Sequence, residues 1–252
     1  MLKRIFDFIC AFIGLSILSP IILLFSVLIW LQDFKSPLYR APRIKRDGQT
    51  FRMLKLRSMV SNADQLGGVS TTTFDKRITP LGKIIRRFKI DELTQLWNVF
   101  IGDMSLVGPR PQSYEGGTAL YTEEERRLLK VRPGITDLAS LVFADEGDVL
   151  SASSDPDLAY NQLIRPWKSR FGLFYVKHHS LMVDIQLISL TIFGIFSREY
   201  ALHGLQKILK DLGAEETLVR IAGRKEELKP YPPPGSNEIV ESLVVDDHES
   251  SA

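Results

Sequence analysis

Disulfide chemistry is closed to this chain: its one cysteine in 252 residues, Cys10, has no partner for an intrachain bridge and cannot supply a cysteine-rich zinc cluster. A body facing a reducing, cytoplasmic compartment is the simplest inference. No small-residue cleavage site follows the apolar run near the N-terminus. That run is also longer than a secretory signal, so it is read as retained in the mature protein. A second long apolar run is missing too. The stretch from Phe171 to Phe196 is interrupted by Lys177, His178, His179 and Asp184, and its unbroken part, Ile185 to Phe196, is too short to cross a bilayer. It reads as a helix lying in the membrane interface, with an ordinary buried helix as the alternative. Too few aromatic residues are interleaved with the basic ones for nucleic-acid binding, and no internal repeat is present.

Charge is plentiful but unevenly spread. Residues 35–57 carry eight Lys or Arg against one Asp, whereas residues 237–252 carry five acids and no Lys or Arg. A basic middle suits phosphates or anionic lipid. From Phe8 to Leu31 no charged residue occurs, and about 1.5 Å per helical residue makes that run long enough to span a bilayer core. Ser19-Pro20 falls at its midpoint, however, where proline removes a backbone donor and bends the helix. Lys3 and Arg4 precede the run, and Lys35, Arg40, Arg43, Lys45 and Arg46 follow it. If positive flanks stay inside, both ends are cytoplasmic. A re-entrant hairpin bent at Ser19 and Pro20 and a kinked spanning helix both fit this pattern.

Further along, Phe51 to Met59 alternates apolar and basic residues as a strand would, with Arg52, Lys55 or Arg57 on its polar side. Ser61 to Phe74 is rich in Gly, Ser and Thr and reads as a loop. Leu81, Ile84, Ile85 and Phe88 form one helical stripe, and Leu93, Leu96, Trp97 and Phe100 form a second. Asp91 is placed as the N-cap of the second helix, where the positive end of the helix would keep a carboxylate ionised. Gly108 to Pro111 reads as a rigid turn, and Glu123 to Lys130 as a charged surface helix. After Tyr200 a short helical segment leads to Pro232-Pro233-Pro234-Gly235 and an acidic end expected to be disordered.

The chemistry-bearing region is residues 75–111, where cations at 76, 77, 83, 86, 87, 89 and 110 surround the acidic pair Asp91 and Glu92. Such a cluster suits a polyphosphate ligand, whose charge must be neutralised before an anion attacks it. Adjacent carboxylates can divide the labour, one as nucleophile and one as ligand to Mg²⁺. The plainer reading is that Asp91 only caps and Glu92 only fills a first turn. Two rivals use other features. Asp155-Pro156-Asp157 has the D-x-D form of a metal-dependent glycosyltransferase, although helix initiation explains it as well. A non-enzymatic basic membrane-surface scaffold for polysaccharide assembly would explain the cations but not the acids.

The runs Asp75 to Gly82 (D-x-R-x-T-x-x-G), Ile90 to Val99 (I-D-E-L-x-Q-L-W-N-V) and Gly102 to Pro111 (G-D-M-S-L-V-G-P-R-P) together closely resemble the bacterial sugar transferases called monotopic phosphoglycosyl transferases. Ser19-Pro20, Lys55 to Met59, Val131 to Thr136 and Tyr175 to Thr191 extend the resemblance over residues 3 to about 198.

The resemblance implies a mainly helical α+β monotopic membrane protein at the cytoplasmic face of the bacterial inner membrane. Its parts would be a re-entrant helix hairpin (1–34), a catalytic domain with interfacial helices and a small β-hairpin (35–200), and a C-terminal extension (201–252). It further implies that Asp91 attacks the sugar-bearing phosphorus of a UDP-sugar, expelling UMP, and that polyprenyl (undecaprenyl) phosphate then takes the phosphosugar. Glu92, with Asp91, would bind Mg²⁺, and Lys55, Arg86 and Arg110 would bind phosphate. Membrane lipid is a further partner, and a homodimer is among the states the sequence allows. Departures from the family pattern are Thr94 in place of proline, Ala41 in place of glutamine, and Asp137-Leu138-Ala139-Ser140 in place of the commoner Gly-Trp-Ala-Gln. Because 137–166 would shape the sugar end of the site, the sugar stays open.

Overall fold

The computed structural model describes residues 1–66, 71–114 and 117–242. The loop read at Ser61 to Phe74 lies in part, and the acidic end from 243 wholly, outside the described residues.

A single apolar helix, α1 (Leu2–Asp33), opens the chain and carries Pro20 inside it. Proline has no N–H to give the carbonyl four residues back. Here the Ser19 hydroxyl donates to that carbonyl, Ser16 O, at 3.0 Å. The pair therefore acts as one device, with serine restoring the bond that proline removes. The helical assignment is continuous through it. Both ends of α1 rest on the rest of the protein. At the N-terminal end Lys3 pairs with Asp184 at 2.5 Å, and Arg4 donates to the carbonyls of Val99 and Phe100. Asp7 accepts from Ser105 Oγ and Leu106 N, at 2.8 and 3.1 Å. At the C-terminal end Asp33 pairs with Arg57 at 2.5 Å, and Ile29 is buried against Leu56 and Ile85. Between these anchors Ile13, Ile17, Ile21, Leu23 and Leu24 stand exposed.

β1 (Leu38–Ile44) and β2 (Thr50–Leu56) form an antiparallel hairpin in register Ile44↔Thr50. Asp47 and Gly48 take left-handed φ values of 61° and 75° in its turn, which these two residue types tolerate. Phe51 and Met53 of β2 are buried and Arg52 is exposed. Leu54 then breaks the alternation of residue types. Because side chains alternate strictly along a strand, Lys55 inherits the inward face. The sequence reading left open whether Arg52, Lys55 or Arg57 served the polar side. In the fold the three separate: Arg52 is exposed, Arg57 pairs with Asp33, and Lys55 turns inward.

α2 (Pro80–Arg87) starts at Thr79, whose side chain accepts from Gly82 N. α3 (Gln95–Ile101) follows, but its start corrects the expected N-cap. Asp91 belongs instead to a separate 3₁₀ turn, Ile90–Glu92, entered through Lys89 at a left-handed φ of 54°. The chain reverses at Lys89, and this turn fills the space before α3 can begin. The face of α3 turned to the protein interior is also not the apolar stripe: Gln95, Asn98 and Val99 are buried, while Trp97 is 47% exposed. Asn98 explains the inversion. Its side-chain amide accepts from Leu54 N and donates to Arg52 O, both at 2.9 Å, clamping α3 to β2. The stripe faces α1 instead, where Phe8 stacks on Phe100 with ring centroids 4.7 Å apart.

β3 (Ser105–Val107) and β4 (Gly134–Thr136) form a parallel pair that the sequence reading did not anticipate. A Cβ on Gly134 would lie 2.1 Å from Gly108 N, so only glycine permits this approach. The main core lies beyond, among α4 (Leu138–Val142), α7 (Arg165–His178), α8 (Leu181–Gly194), α9 (Arg198–Asp211) and α10 (Glu216–Ala222). Val142, Phe171, Leu187, Leu205 and Leu209 are fully buried there, each contributing about 1.5–3 kcal/mol. Residue 201 therefore falls inside a helix, and the chain through Leu228 shares this core rather than forming an appendage. α5 (Glu146–Ser151) and α6 (Pro156–Ala159) bridge α4 and α7.

Glu123 to Lys130 is also corrected. Residues Glu125–Lys130 form a 3₁₀ helix, and Glu125 is wholly buried with Arg165, held also by Ser169 Oγ and Thr122 N. The Phe171 to Phe196 stretch is two helices broken at His179-Ser180. Their joint leaves Met182, Ile185, Ile192 and Phe193 of α8 exposed.

Candidate active site

Four elements converge on the acid pair. The 3₁₀ turn presents Asp91 and Glu92, the end of β2 presents Lys55, α2 presents Arg86, and the segment after β3 presents Arg110. Lys55 Nζ lies 3.8 Å from Asp91 Oδ2 and 3.6 Å from Glu92 Oε1. Arg110 grips Glu92 through both terminal nitrogens and also donates to Ile135 O at 3.2 Å. Arg86 is held at 2.8 Å by Ser58 Oγ and acts on Asp91 through its field rather than by ion-pair contact. All five residues singled out in the sequence thus share one site. Ser19 and Pro20 stand apart in α1.

The two carboxylates occupy different electrostatic situations. Burial by itself would raise Glu92, but Arg110 and Lys55 outweigh it and hold the carboxyl down at about 2. Asp91 is raised above the ordinary aspartate range, first by burial and then by the charge of Glu92, with Lys55 and Arg86 opposing. The expectation that a helix N-terminus would keep Asp91 ionised is corrected here, since it caps no helix and its support is Lys55. Lys55 in turn is lowered by burial, with Glu92 resisting, and Arg110 is raised by Glu92. Among the described residues the Asp91 carboxylate accepts no hydrogen bond, so its lone pairs face the site unclaimed. The Thr94 hydroxyl, which stands where proline is usual, donates to Asp91 O at 3.3 Å and steadies the turn.

No cluster of three or more His, Cys, Asp or Glu suited to a metal occurs among the described residues. Magnesium does not need one, because it binds through one or two carboxylates and keeps other positions for water and phosphate oxygens. The unclaimed Asp91 oxygens beside Glu92 fit that donor set. His178 and His179 do not, as their Nδ1 atoms lie 3.0 and 2.9 Å from the carbonyls of Phe174 and Val176. Asp155 accepts from Leu158 N at 3.0 Å and caps α6, the helix-initiating role weighed against D-x-D chemistry.

Arg110 also borders a cavity lined by Gln112, Asp137, Ser140, Tyr160 and Lys168. Lys168 is paired with Glu146, and the buried Ser140 hydroxyl has no hydrogen-bond partner among the described residues. A one-turn π-helix, Tyr160–Ile164, turns Tyr160 toward this space. Sequence reasoning named Asp137 and Ser140 only as departures within the segment 137–166, and gave no role to Gln112, Tyr160 or Lys168. It also missed Ser58, although Ser58 stands inside the quoted Lys55 to Met59 run.

The chain is 33% identical over 193 residues to the UDP-N-acetylgalactosamine-undecaprenyl-phosphate N-acetylgalactosaminephosphotransferase of Aeromonas hydrophila, covering 76% of this chain and 43% of that protein. It is 35% identical over 203 residues to the undecaprenyl-phosphate glucose phosphotransferase of Komagataeibacter xylinus, covering 78% and 36%. The exopolysaccharide production protein ExoY of Sinorhizobium fredii is 32% identical over 205 residues, covering 75% and 83%. The chain thus spans less than half the length of the first two. Residues 1–198, which hold α1, the hairpin, the acid pair and its cations, match the model of one family, and the chain belongs to the bacterial sugar transferases.

Proposed function

We propose that this chain transfers a sugar-1-phosphate from a UDP-sugar to polyprenyl (undecaprenyl) phosphate, through a phosphosugar bound covalently to Asp91. The observation that carries the reading is the division within the acid pair: Lys55 stands beside both carboxylates, but Arg110 grips Glu92 alone, and Asp91 accepts no hydrogen bond among the described residues.

In the first step an Asp91 oxygen attacks the phosphorus that bears the sugar. The bond from that phosphorus to the bridging oxygen breaks, and UMP leaves with the electron pair. Lys55, Arg86 and Arg110 stabilise charge on the phosphate oxygens during the transfer. In the second step a phosphate oxygen of the lipid attacks the same phosphorus. The bond to Asp91 breaks, the carboxylate is restored, and a polyprenyl-diphosphosugar is formed. Asp91 and Glu92 are the residues that would hold Mg²⁺, which when bound would supply charge neutralisation for the diphosphate. Burial raises the affinity of Asp91 for a proton, and the nearby Lys55 ammonium counters it.

A lipid acceptor and a water-soluble donor meet at a membrane surface. The anchors at both ends of α1, its exposed apolar middle and the Ser19-Pro20 device support a re-entrant segment with both ends on the cytoplasmic face of the inner membrane. The cavity lined by Gln112, Ser140, Tyr160 and Lys168 is where the sugar would be read. The relatives are named for N-acetylgalactosamine and glucose donors, and the donor here is left to experiment.

The test is to incubate purified protein with Mg²⁺ and a panel of UDP-sugars, with and without polyprenyl phosphate. UMP release with the lipid present, together with a phosphosugar adduct on the Asp91 peptide when lipid is omitted, is expected. Liposome binding with no UMP release from any donor would favour a scaffold.

A further inference from the structure

A second cavity shares no residue with the acid-pair site. It opens where the start of α1, strand β3, the turn of the β1–β2 hairpin and the joint between α7 and α8 meet. Lys3, Arg4, Arg46, Lys130, Arg132 and His179 line it, and Asp7 is the one acid among its described walls.

These charges do not cancel locally. Asp7 is 2% exposed and is taken up by Ser105 Oγ and Leu106 N. Lys3 is spent on Asp184 and Val107 O, and Arg4 on two carbonyls of α3. Arg132 donates through Nε to Gly102 O at 3.0 Å, and its terminal nitrogens have no partner among the described residues. Lys130 has no hydrogen-bond or ion-pair partner among the described residues. Arg46 meets only Asp47, and in that pair both side chains are at least half exposed, so it competes weakly. Lys130 and Arg132 thus offer donors that no acid meets among the described residues, and Arg46 adds one held only by the exposed Asp47.

Two helices flank this basic hollow with exposed apolar side chains: Leu2, Ile5 and Phe8 of α1, and Met182 and Ile185 of α8. A concave cationic site bounded by lipid-facing side chains lies at the depth of phospholipid headgroups. We propose that this cavity binds the phosphodiester headgroup of an anionic membrane lipid, separately from the acceptor at the acid pair. The inference rests on the membrane placement of α1 proposed above and extends it to α8, whose Met182, Ile185, Ile192 and Phe193 are exposed. The lipid would fix the rotational setting of the body on the bilayer, because it joins the start of α1 to the α7–α8 joint.

Lys130→Gln with Arg46→Gln removes an unpaired cation and a weakly paired one, both outside the catalytic machinery. Lys83→Gln with Arg87→Gln removes two cations elsewhere as a control. Full-length protein is released from nanodiscs of phosphatidylcholine and phosphatidylglycerol, and retained lipid is measured by native mass spectrometry. Wild type and the Lys83/Arg87 control should each keep one phosphatidylglycerol per chain, and the Lys130/Arg46 variant should lose about tenfold or more of that occupancy. Equal loss in both variants means diffuse surface charge and overturns the proposal, as does equal retention of phosphatidylcholine. If inorganic phosphate raises the melting temperature as much as a short-chain phosphatidylglycerol, the cavity is a free-anion site and the lipid assignment fails. Flotation with neutral vesicles is read in parallel, since loss of flotation would count against the membrane placement itself rather than against the site.

Discussion

Replacing Arg110 by Met keeps the length of the side chain and removes the charge that grips Glu92. The structure sets the scale of the effect. Glu92 is 18% and Arg110 26% exposed in their side chains, so solvent screens the pair only in part. Holding Glu92 at about 2 instead of its ordinary 4.5 corresponds to about 3 kcal/mol of preference for the charged form. Lys55 remains 3.6 Å away and keeps a share of this, so Arg110→Met should destabilise the folded protein by about 2 kcal/mol near neutral pH. The sign of the pH dependence follows from the depressed carboxyl. Its stabilising contribution is complete above the ordinary glutamate range and is lost as pH falls toward about 2. In the variant, burial is left to push Glu92 upward, so it takes its proton earlier and is relieved of its unpaired charge. The stability gap between wild type and variant should therefore be widest near neutrality and narrow on acidification through the carboxylate range. Glu92→Gln combined with Arg110→Met should recover much of the loss, since no buried charge is left alone. The assay is denaturant unfolding in detergent micelles with magnesium chelated, from about pH 8 to about pH 4. A gap that stays constant over this range, or a double variant no better than the single one, would refute the electrostatic account.

Asp91→Asn should abolish UMP release while leaving stability within about 1 kcal/mol of wild type, because Asp91 caps no helix; normal turnover by the folded variant would exclude it as nucleophile. Glu92→Gln should nearly abolish turnover, with Mg²⁺ titration as the readout. Glu125→Leu, which strands buried Arg165, should cost about 3–5 kcal/mol in unfolding measurements, and Glu125→Leu with Arg165→Met should return most of it. Cysteines placed at residues 2 and 36 in a Cys10→Ala background should both be labelled from the cytoplasmic side, and opposite accessibility would show a helix that spans.

Features written in local chemistry were legible before any coordinates. The apolar run with Ser19-Pro20 is a helix whose serine restores the bond that its proline removes, and the alternation at Phe51 to Met53 is a strand. What escaped was set by partners far away in sequence. Glu125 looked like one more surface charge until Arg165, forty residues on, was seen to be buried with it. The stripe of Leu93, Leu96, Trp97 and Phe100 was legible, but the burial of Asn98 and the exposure of Trp97 were not, because period alone cannot say whether a helix turns its apolar stripe to the core or to another helix. The expected cap at Asp91 failed for a related reason, since a 3₁₀ turn entered through left-handed Lys89 leaves no mark in composition. The five site residues could be named from their motifs, but the unequal treatment of the two acids required the positions of Lys55 and Arg110.

That inequality connects to the membrane through two helices. The acid-bearing turn hangs between α2 and α3, and each is held by a different end of α1. Ile85 of α2 packs against Ile29 near the end of α1, and the carbonyls of Val99 and Phe100 in α3 accept from Arg4 near its start. Lys55 completes the link, because the next residue in β2, Leu56, is buried against the same Ile29. A change in the angle between the two ends of α1 would therefore move α2 against α3 and alter the distances from Lys55 to Asp91 and Glu92. The anchorage of α1 and the spacing of Lys55, Asp91 and Glu92 are thus coupled through the same side chains. It follows that α1 is not a passive tether, since the packing at both of its ends bears on the elements that carry the acid pair.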